Sequence, residues 1–222
     1  LAKDLDEDIH AWRFRKLDKE YPYLVVDARY ERIRINHKVV PQGVLLAVGI
    51  GSDGYREILG TWVADSENET SWSEVFKELK ERGLTGVRYV VSDDHAGLVK
   101  AIGRHFQGVL WQRCQVHFVR NLCSLVSKKD RSKVVEMLRE ITTAQTYVTA
   151  RKRMDEAIEV LEKLHPKVAQ ILEENGEDIL TVYQLPVWQR RGMKSTNMLE
   201  RYNQELKRRT RVVRIFPNQE SC

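Results

Sequence analysis

Apolar and polar positions along the chain fall into two regimes, one with the period of strands and the other with the period of helices. From Tyr23 to Ile35 an apolar run, Leu24-Val25-Val26, gives way to alternation at Ile33 and Ile35 before Asn36-His37, a pair suited to a turn. Val44 to Gly51 is almost continuously apolar, Ser52-Asp53-Gly54 reads as a hairpin turn, and Tyr55 to Ala64 follows as a third strand. The expectation is a three-stranded antiparallel meander. Glu67 to Arg82 then places Trp72, Val75, Phe76 and Leu79 at helical spacing, and Gly83 supplies a stop. Short strands at Val87–Val91 and Val109–Trp111 flank a helical stretch that ends near His105. From Gln115 to about Leu180 the period is helical throughout, with Val134, Val135, Leu138 and Ile141, then Ile158, Leu161, Leu164, Val168, Ile171 and Leu172 on the apolar stripes. Pro186 and the polar stretch 189–194 interrupt it, and a last helix is expected over Asn197 to about Arg209.

The order βββαβαβ, then a helical block, then one more helix predicts an α/β fold of RNase H-like type. Its mixed sheet is separated from its last helix by an all-helical insertion. The corresponding divisions are a lead-in over 1–22, a first part of the core over 23–129, the insertion over 130–187, and the final helix with a basic tail over 188–222. Composition adds little to this: 42% hydrophobic and 31% charged residues are ordinary for a globular chain. Neither an apolar run long enough to span a bilayer nor a basic-then-apolar secretory start is present, so the expected location is the cytoplasm. Three cysteines, Cys114, Cys123 and Cys222, do not describe a disulfide framework and are expected as thiols.

Charge changes the picture once it is located. The net charge is +5, but the segment Trp188–Arg214 alone carries +7 and the rest −2. A basic excess gathered at one end points to a polyanion partner, although a solvated basic helix would read the same way. Arg201, Lys207, Arg208, Arg209, Arg211 and Arg214 are candidate phosphate contacts, with Arg190, Arg191 and Lys194 extending them upstream.

Two carboxylates stand where they are costly. Asp27 closes the apolar run of the first strand, and Asp93 follows Val90-Val91-Ser92 at the end of the fourth. In an RNase H-like sheet these strands are neighbours, so the two charges would repel unless a hard divalent cation joined them. Glu200 lies on the last helix beside the stripe Leu199, Tyr202 and Leu206, sharing a face with Asn203 and Lys207. Three carboxylates holding Mg²⁺, or Mn²⁺ in its place, can activate a water or a 3′-hydroxyl for attack on a phosphate. Each also has a plainer reading. An Asp at a strand end is often a turn residue, and Asn197-Met198-Leu199-Glu200 has capping-box spacing.

Four blocks resemble the Mutator superfamily of DDE transposases, in its prokaryotic insertion-sequence branch. Tyr21-Pro22-Tyr23-Leu24-Val25-Val26-Asp27-Ala28-Arg29-Tyr30 resembles the family's first-aspartate motif, and Ser92-Asp93-Asp94-His95-Ala96-Gly97-Leu98 its second. Trp111 to Asn121 resembles the Cys-x-x-His signature through Cys114 and His117, and Ser195 to Val213 resembles the block with the catalytic Glu. The triad spacings of 66 and 107 positions leave room for a helical insertion before Glu200. The resemblance implies Asp27, Asp93 and Glu200 as catalytic metal ligands, DNA transposon ends and target as substrates, and other transposase subunits as homo-oligomeric partners. The N-terminal repeat-binding region is missing and the chain stops at Cys222, so it reads as an excised or truncated core.

Two other readings stay open: a nuclease that cuts without joining, and a non-catalytic DNA-binding fragment. Cys114 and His117 fall on one helical face but lack the further ligands zinc needs, which makes them candidates for bordering the site, as is His95. Trp188, after Leu185-Pro186-Val187, is expected to be a packing anchor, with stacking on an unpaired base as the alternative.

Overall fold

A computed structural model describes residues 2–210, 213–218 and 222, with side chains described from residue 7 onward within them. They form a mixed α/β structure built on a five-stranded sheet. The chain divides into two compact units, residues 1–110 with 197–222, and residues 111–196.

In the first unit the meander is present as β1 (Tyr23–Ile35), β2 (Lys38–Ile50) and β3 (Arg56–Ala64), each antiparallel to the next. β1 and β2 are joined by Asn36 and His37, both with positive φ (47° and 64°). That is the geometry of a two-residue type I′ hairpin turn, whose twist matches that of the strands. The register closes at Ile35 opposite Lys38, so β2 begins six residues before the apolar run that signalled it. Pro41 had hidden this start. It is tolerated because β2 pairs with β3 only from Gly43 onward, leaving Pro41 a single neighbouring strand.

α2 (Glu69–Glu81) buries Trp72, Val75, Phe76 and Leu79, the four positions that its spacing predicts. Its start is fixed by a reciprocal cap. The Asn68 side chain accepts from the Ser71 backbone N–H at 2.9 Å while Ser71 Oγ accepts from the Asn68 N–H at 3.0 Å. Glu67 therefore precedes the helix, which the sequence reading had begun at that residue. Gly83, at φ 106°, ends it in a conformation that costs an L-residue.

The chain then returns as β4 (Tyr89–Ser92), parallel to β1, and continues into α3 (Ala96–His105) and β5 (Leu110–Arg113). Strand order is β3-β2-β1-β4-β5. β1 is thus central at its beginning, and Leu24, Val25, Val26 and Asp27 are all buried in succession, the pattern of a strand covered on both faces. Beyond its pairing with β4 the burial becomes intermittent. A helix over Ala2–Arg13 (α1) precedes the sheet, and α9 (Asn197–Thr210) packs on β1.

The second unit is helical apart from the strand residues 111–113. It contains α4 (Gln115–Ser124), α5 (Arg131–Thr143), α6 (Tyr147–Leu164), α7 (Pro166–Asn175), two 3₁₀ turns at Gly176–Ile179 and Thr181–Gln184, and the single-turn α8 (Val187–Arg190). The insertion expected over 130–187 is accompanied here by α4. Phe118, Leu122 and Cys123 of α4 share one core with Val134, Leu138, Ile141, Met154, Leu161 and Leu172. Gln112 and Gln115 tie the 3₁₀ turns to the start of the unit: Gln112 Oε1 accepts from Val182 N–H at 2.6 Å, and Gln115 Nε2 donates to the Ile179 carbonyl at 2.9 Å. No helix among the described residues is long and apolar enough to cross a membrane.

Candidate active site

The first unit holds all three carboxylates of the expected triad. In the parallel ladder Leu24 lies opposite Val90 and Val25 opposite Val91, so Asp27 and Asp93 each stand two positions beyond the last pair. Residues two apart along a strand share a face, so Asp27 lies on the face of Val25, where the pairing of β1 with β4 ends, while Asp93 begins the segment that follows β4. Asp27 is 5% exposed, whereas Asp93 is half-buried. Asp93 Oδ1 accepts from the His95 backbone N–H at 3.2 Å, which shapes the loop between β4 and α3.

α9 is docked on β1 by polar contacts that sequence reasoning did not assign. Asn203 Nδ2 donates to Asp27 Oδ2 at 3.3 Å, and Arg29 Nη1 donates to the Asn203 carbonyl at 3.1 Å. Arg29 is in turn paired with Glu31. Glu200 lies three residues before Asn203, hence on the same helical face one turn earlier. Leu199 is buried while Tyr202 and Leu206 are half-buried, so the predicted stripe faces inward. Because α9 begins at Asn197, Glu200 falls one position past the place where a capping box would use it. Among the described residues no group of three or more His, Cys, Asp or Glu side chains converges closely enough to hold a metal ion. Aspartate oxygens are the chemistry a hard cation takes, and the side chain that reaches Asp27 from α9 is Asn203.

A further carboxylate lies in the same neighbourhood. The Glu67 side chain is 7% exposed, Trp72 Nε1 donates to its Oε1 at 3.1 Å, and His95 Nδ1 lies 3.8 Å from that oxygen. Burial raises its pKa above the ordinary carboxylate range. The Trp72 hydrogen bond opposes that rise, the negative charge of Asp93 adds to it, and His95 opposes it. The Asn68–Ser71 cap was the sequence signal that could have separated Glu67 from the helix surface.

The remaining candidates are distributed between the units. On α9, Arg201 and Lys207 are exposed, and Arg208 and Arg209 both bond Glu205. Hydrogen bonds from these two arginines lower the Glu205 pKa to about 2. Arg214 is exposed at φ 56°, and Arg211 lies outside the described residues.

In the second unit, Arg190 spends its guanidinium on the backbone carbonyls of Leu185, Gln145 and Tyr183, at 2.8, 3.1 and 3.1 Å. Lys194 donates to the Thr142 carbonyl at 2.7 Å; burial, then the charge of Arg190, lowers its pKa. Arg191 is exposed. Trp188 is 81% exposed and Val187 70%, which corrects the packing expectation: the single-turn α8 buries neither side chain, and of its apolar run only Leu185 is buried.

Cys114, fully buried at the start of α4, accepts from the Thr196 backbone N–H at 3.4 Å and from its hydroxyl at 3.5 Å. Burial pushes the thiol pKa up, but hydrogen bonds from His117 and Thr196 outweigh it and hold the group below its ordinary value. The Cys-x-x-His pair thus fastens the segment before α9 within its own unit. Cys114, Cys123 and Cys222 are free thiols, as expected.

Comparison with known proteins gives a consistent assignment. The family described as "Transposase, Mutator family" matches residues 1–222. The transposase for insertion sequence element ISRM5 of Rhizobium meliloti is 43% identical over all of this chain and 56% of its own length. That for IS406 of Burkholderia multivorans is 43% identical over all of this chain and 57% of its own. That for IS256 in transposon Tn4001 of Staphylococcus aureus is 38% identical, again over all of this chain and 57% of its own. The chain spans little more than half the length of these curated relatives. Among solved structures, the Drosophila P element transposase strand transfer complex aligns at 14% identity and a TM-score of 0.32, over 74% of this chain and 45% of that one, a likeness too slight to carry weight here. With the family matched from end to end and these three relatives insertion-sequence transposases, this chain belongs to the Mutator family of transposases.

Proposed function

We propose that this chain is the RNase H-like catalytic core of a transposase and that Asp27, Asp93 and Glu200 carry metal-dependent cleavage of DNA ends and strand transfer. The observation that supports the proposal is the parallel β1–β4 register, in which Asp27 within β1 and Asp93 just past the end of β4 each stand two positions beyond the Val25–Val91 pair. Holding two like charges on adjoining segments, one of them buried, is unfavourable without a cation to share, and oxygen ligands suit Mg²⁺, with Mn²⁺ as a substitute. When bound, the metal supplies activation of a water or 3′-hydroxyl and neutralises charge building on the scissile phosphate. The chain's own residues do the rest: Asp27 and Asp93 define the site on the sheet, and Asn203 orients the Asp27 carboxylate. Glu200 is delivered from the same face of α9, and the backbone N–H of His95 orients Asp93.

Arg191, Arg201, Lys207 and the Arg208–Arg209 pair are among the exposed cations and are available to DNA phosphates. Partners in this reading are transposon ends, target DNA and further copies of the transposase. The test uses the intact protein with a radiolabelled transposon-end duplex and a target plasmid in Mg²⁺. Joined product that disappears in Asp27→Ala, Asp93→Ala and Glu200→Ala supports the reading. Cleavage without joining assigns a nuclease, and DNA binding unaffected by any of the three, with neither reaction, assigns a non-catalytic role.

A further inference from the structure

Burying the Glu67 carboxylate costs several kcal/mol of solvation unless donors surround it. One donor is the Trp72 indole, 3.1 Å from Oε1. His95 Nδ1 lies 3.8 Å from the same oxygen, and this nitrogen is buried with no hydrogen-bond partner of its own. The His95 side chain is nevertheless 38% exposed. With Nδ1 inaccessible, that exposure belongs to the opposite edge of the ring, which carries Nε2. His95 is also tied to the candidate active site through its backbone, which donates to Asp93 Oδ1.

We propose that Glu67 is a positioning residue for His95, accepting from Nδ1–H and thereby fixing the ring with Nε2 directed outward beside Asp93, toward a DNA phosphate. The proposal rests on the reading of Asp93 as part of the active site. Small torsions within a rotamer well are enough to close 3.8 Å to a hydrogen bond, and such bonds commonly tighten when substrate binds. The frame that sets the separation is closely packed. At Gly97 the start of α3 approaches the start of α2 so closely that a Cβ would lie 2.6 Å from Glu69 N and 2.7 Å from Asn68 C. The loop that carries Asp93 and His95 is therefore held against the segment that carries Glu67. The field of Asp93 at Glu67 places the two acids in one electrostatic neighbourhood. A carboxylate bonded to one imidazole nitrogen decides the tautomer and sharpens the orientation of the other, the same arrangement by which outer carboxylates hold ligating histidines.

The direct test needs no catalysis. Long-range ¹H–¹⁵N spectra of imidazole-labelled protein, recorded at about pH 8 where histidine is ordinarily neutral, should show His95 as the Nδ1–H tautomer in the wild type. Glu67→Gln, whose amide oxygen can still accept, should retain it. Glu67→Leu should move His95 to the Nε2–H tautomer that free imidazole side chains prefer. An Nε2–H tautomer in the wild type, or no change in Glu67→Leu, overturns the proposal; if Glu67→Leu does not fold, the wild-type tautomer alone decides.

In strand-transfer assays Glu67→Leu should lower kcat by roughly 10–100-fold with KM for the DNA end little changed, and Glu67→Gln should recover most of the loss. An equal loss in Glu67→Gln and Glu67→Leu, or an effect confined to KM, refutes the positioning role. Should the wild type itself join no DNA while the tautomers behave as expected, the transposase reading fails and the Glu67–His95 pair stands.

Discussion

Replacing Asp27 with Asn should separate the stability of this protein from its function. Asp27 lies on β1 and Asp93 just past the end of β4, adjoining strands about 4.8 Å apart, each two positions beyond the Val25–Val91 pair. Two unit charges about 5 Å apart in an effective dielectric of about 20 repel by about 3 kcal/mol. Asp93 is half-exposed, and solvent screening reduces the repulsion to about 1 kcal/mol. The Asn side-chain oxygen can still accept from Asn203 Nδ2, so Asp27→Asn removes the charge without abandoning the contact that docks α9. In EDTA the variant should therefore unfold about 2–4 °C above the wild type. Added Mg²⁺ should reverse the order, because it stabilises only a protein that binds it. The assay is a thermal melt of both proteins with EDTA and across a Mg²⁺ titration, paired with strand transfer, which Asp27→Asn should abolish. A variant less stable than the wild type in EDTA, with both shifted equally by Mg²⁺, would make Asp27 a structural acid and refute the argument.

Other consequences follow from packing and from the ion network around Glu57. Gly97→Ala sets a Cβ against backbone that cannot yield, and should cost about 1–3 kcal/mol and depress DNA joining by displacing the Asp93 loop. Gly103→Ala, on the same helix where a Cβ would meet nothing, should instead add about 0.5–1 kcal/mol in a denaturant melt. Burial pushes the Glu57 pKa up, but hydrogen bonds from Tyr21 and Arg15, then the charges of Arg15 and Lys19, outweigh it and leave a net depression. Its contribution is therefore complete above the ordinary carboxylate value and is lost as pH falls through the lower folded value. Melts between about pH 5 and pH 3 should show a steeper loss for the wild type than for Glu57→Gln, and parallel curves would count against the network.

The features legible in the sequence are those that obey a local period or carry a local chemical anomaly. The buried face of α2, the Asn36-His37 turn and the Gly83 stop follow from spacing and backbone preference alone. Asp27 stood out because a carboxylate at the end of Leu24-Val25-Val26 has no local reason to be there. The residues that complete the site were less visible because their roles arise only from tertiary contact. Asn203 resembles any polar residue on a helix until Asp27 is found 3.3 Å away, and Glu67 resembles a first-turn acid until the Asn68 cap excludes it from the helix. The early start of β2 was obscured by Pro41, whose tolerance depends on which strands flank it. Arg190 and Lys194 show the reverse problem. Counting them as surface charge was natural, yet their charged ends are committed to backbone carbonyls.

That last contrast makes the basic segment a testable mixture of two kinds of cation. Lysine and arginine near a helix C-terminus are favoured by the helix dipole whether or not DNA is present, so the charge of α9 alone does not establish a DNA contact. A phosphate contact releases condensed counterions, and its loss lowers the slope of log affinity against log salt by about 1. Arg201→Gln and Lys207→Gln should each produce that change with little effect on stability, since both side chains are exposed. Arg190→Gln should do the opposite. It strips donors from the carbonyls of Leu185, Gln145 and Tyr183, so the melting temperature should fall while the salt slope of the folded protein stays as it was. Arg208→Gln is the intermediate case, because Glu205 already balances part of the Arg208–Arg209 charge and DNA would have to displace that acid. Equal slope changes for Arg190→Gln and Lys207→Gln in duplex titrations from low to moderate salt would show that commitment to the backbone does not withdraw a cation from DNA, and the sorting drawn from the structure would fail.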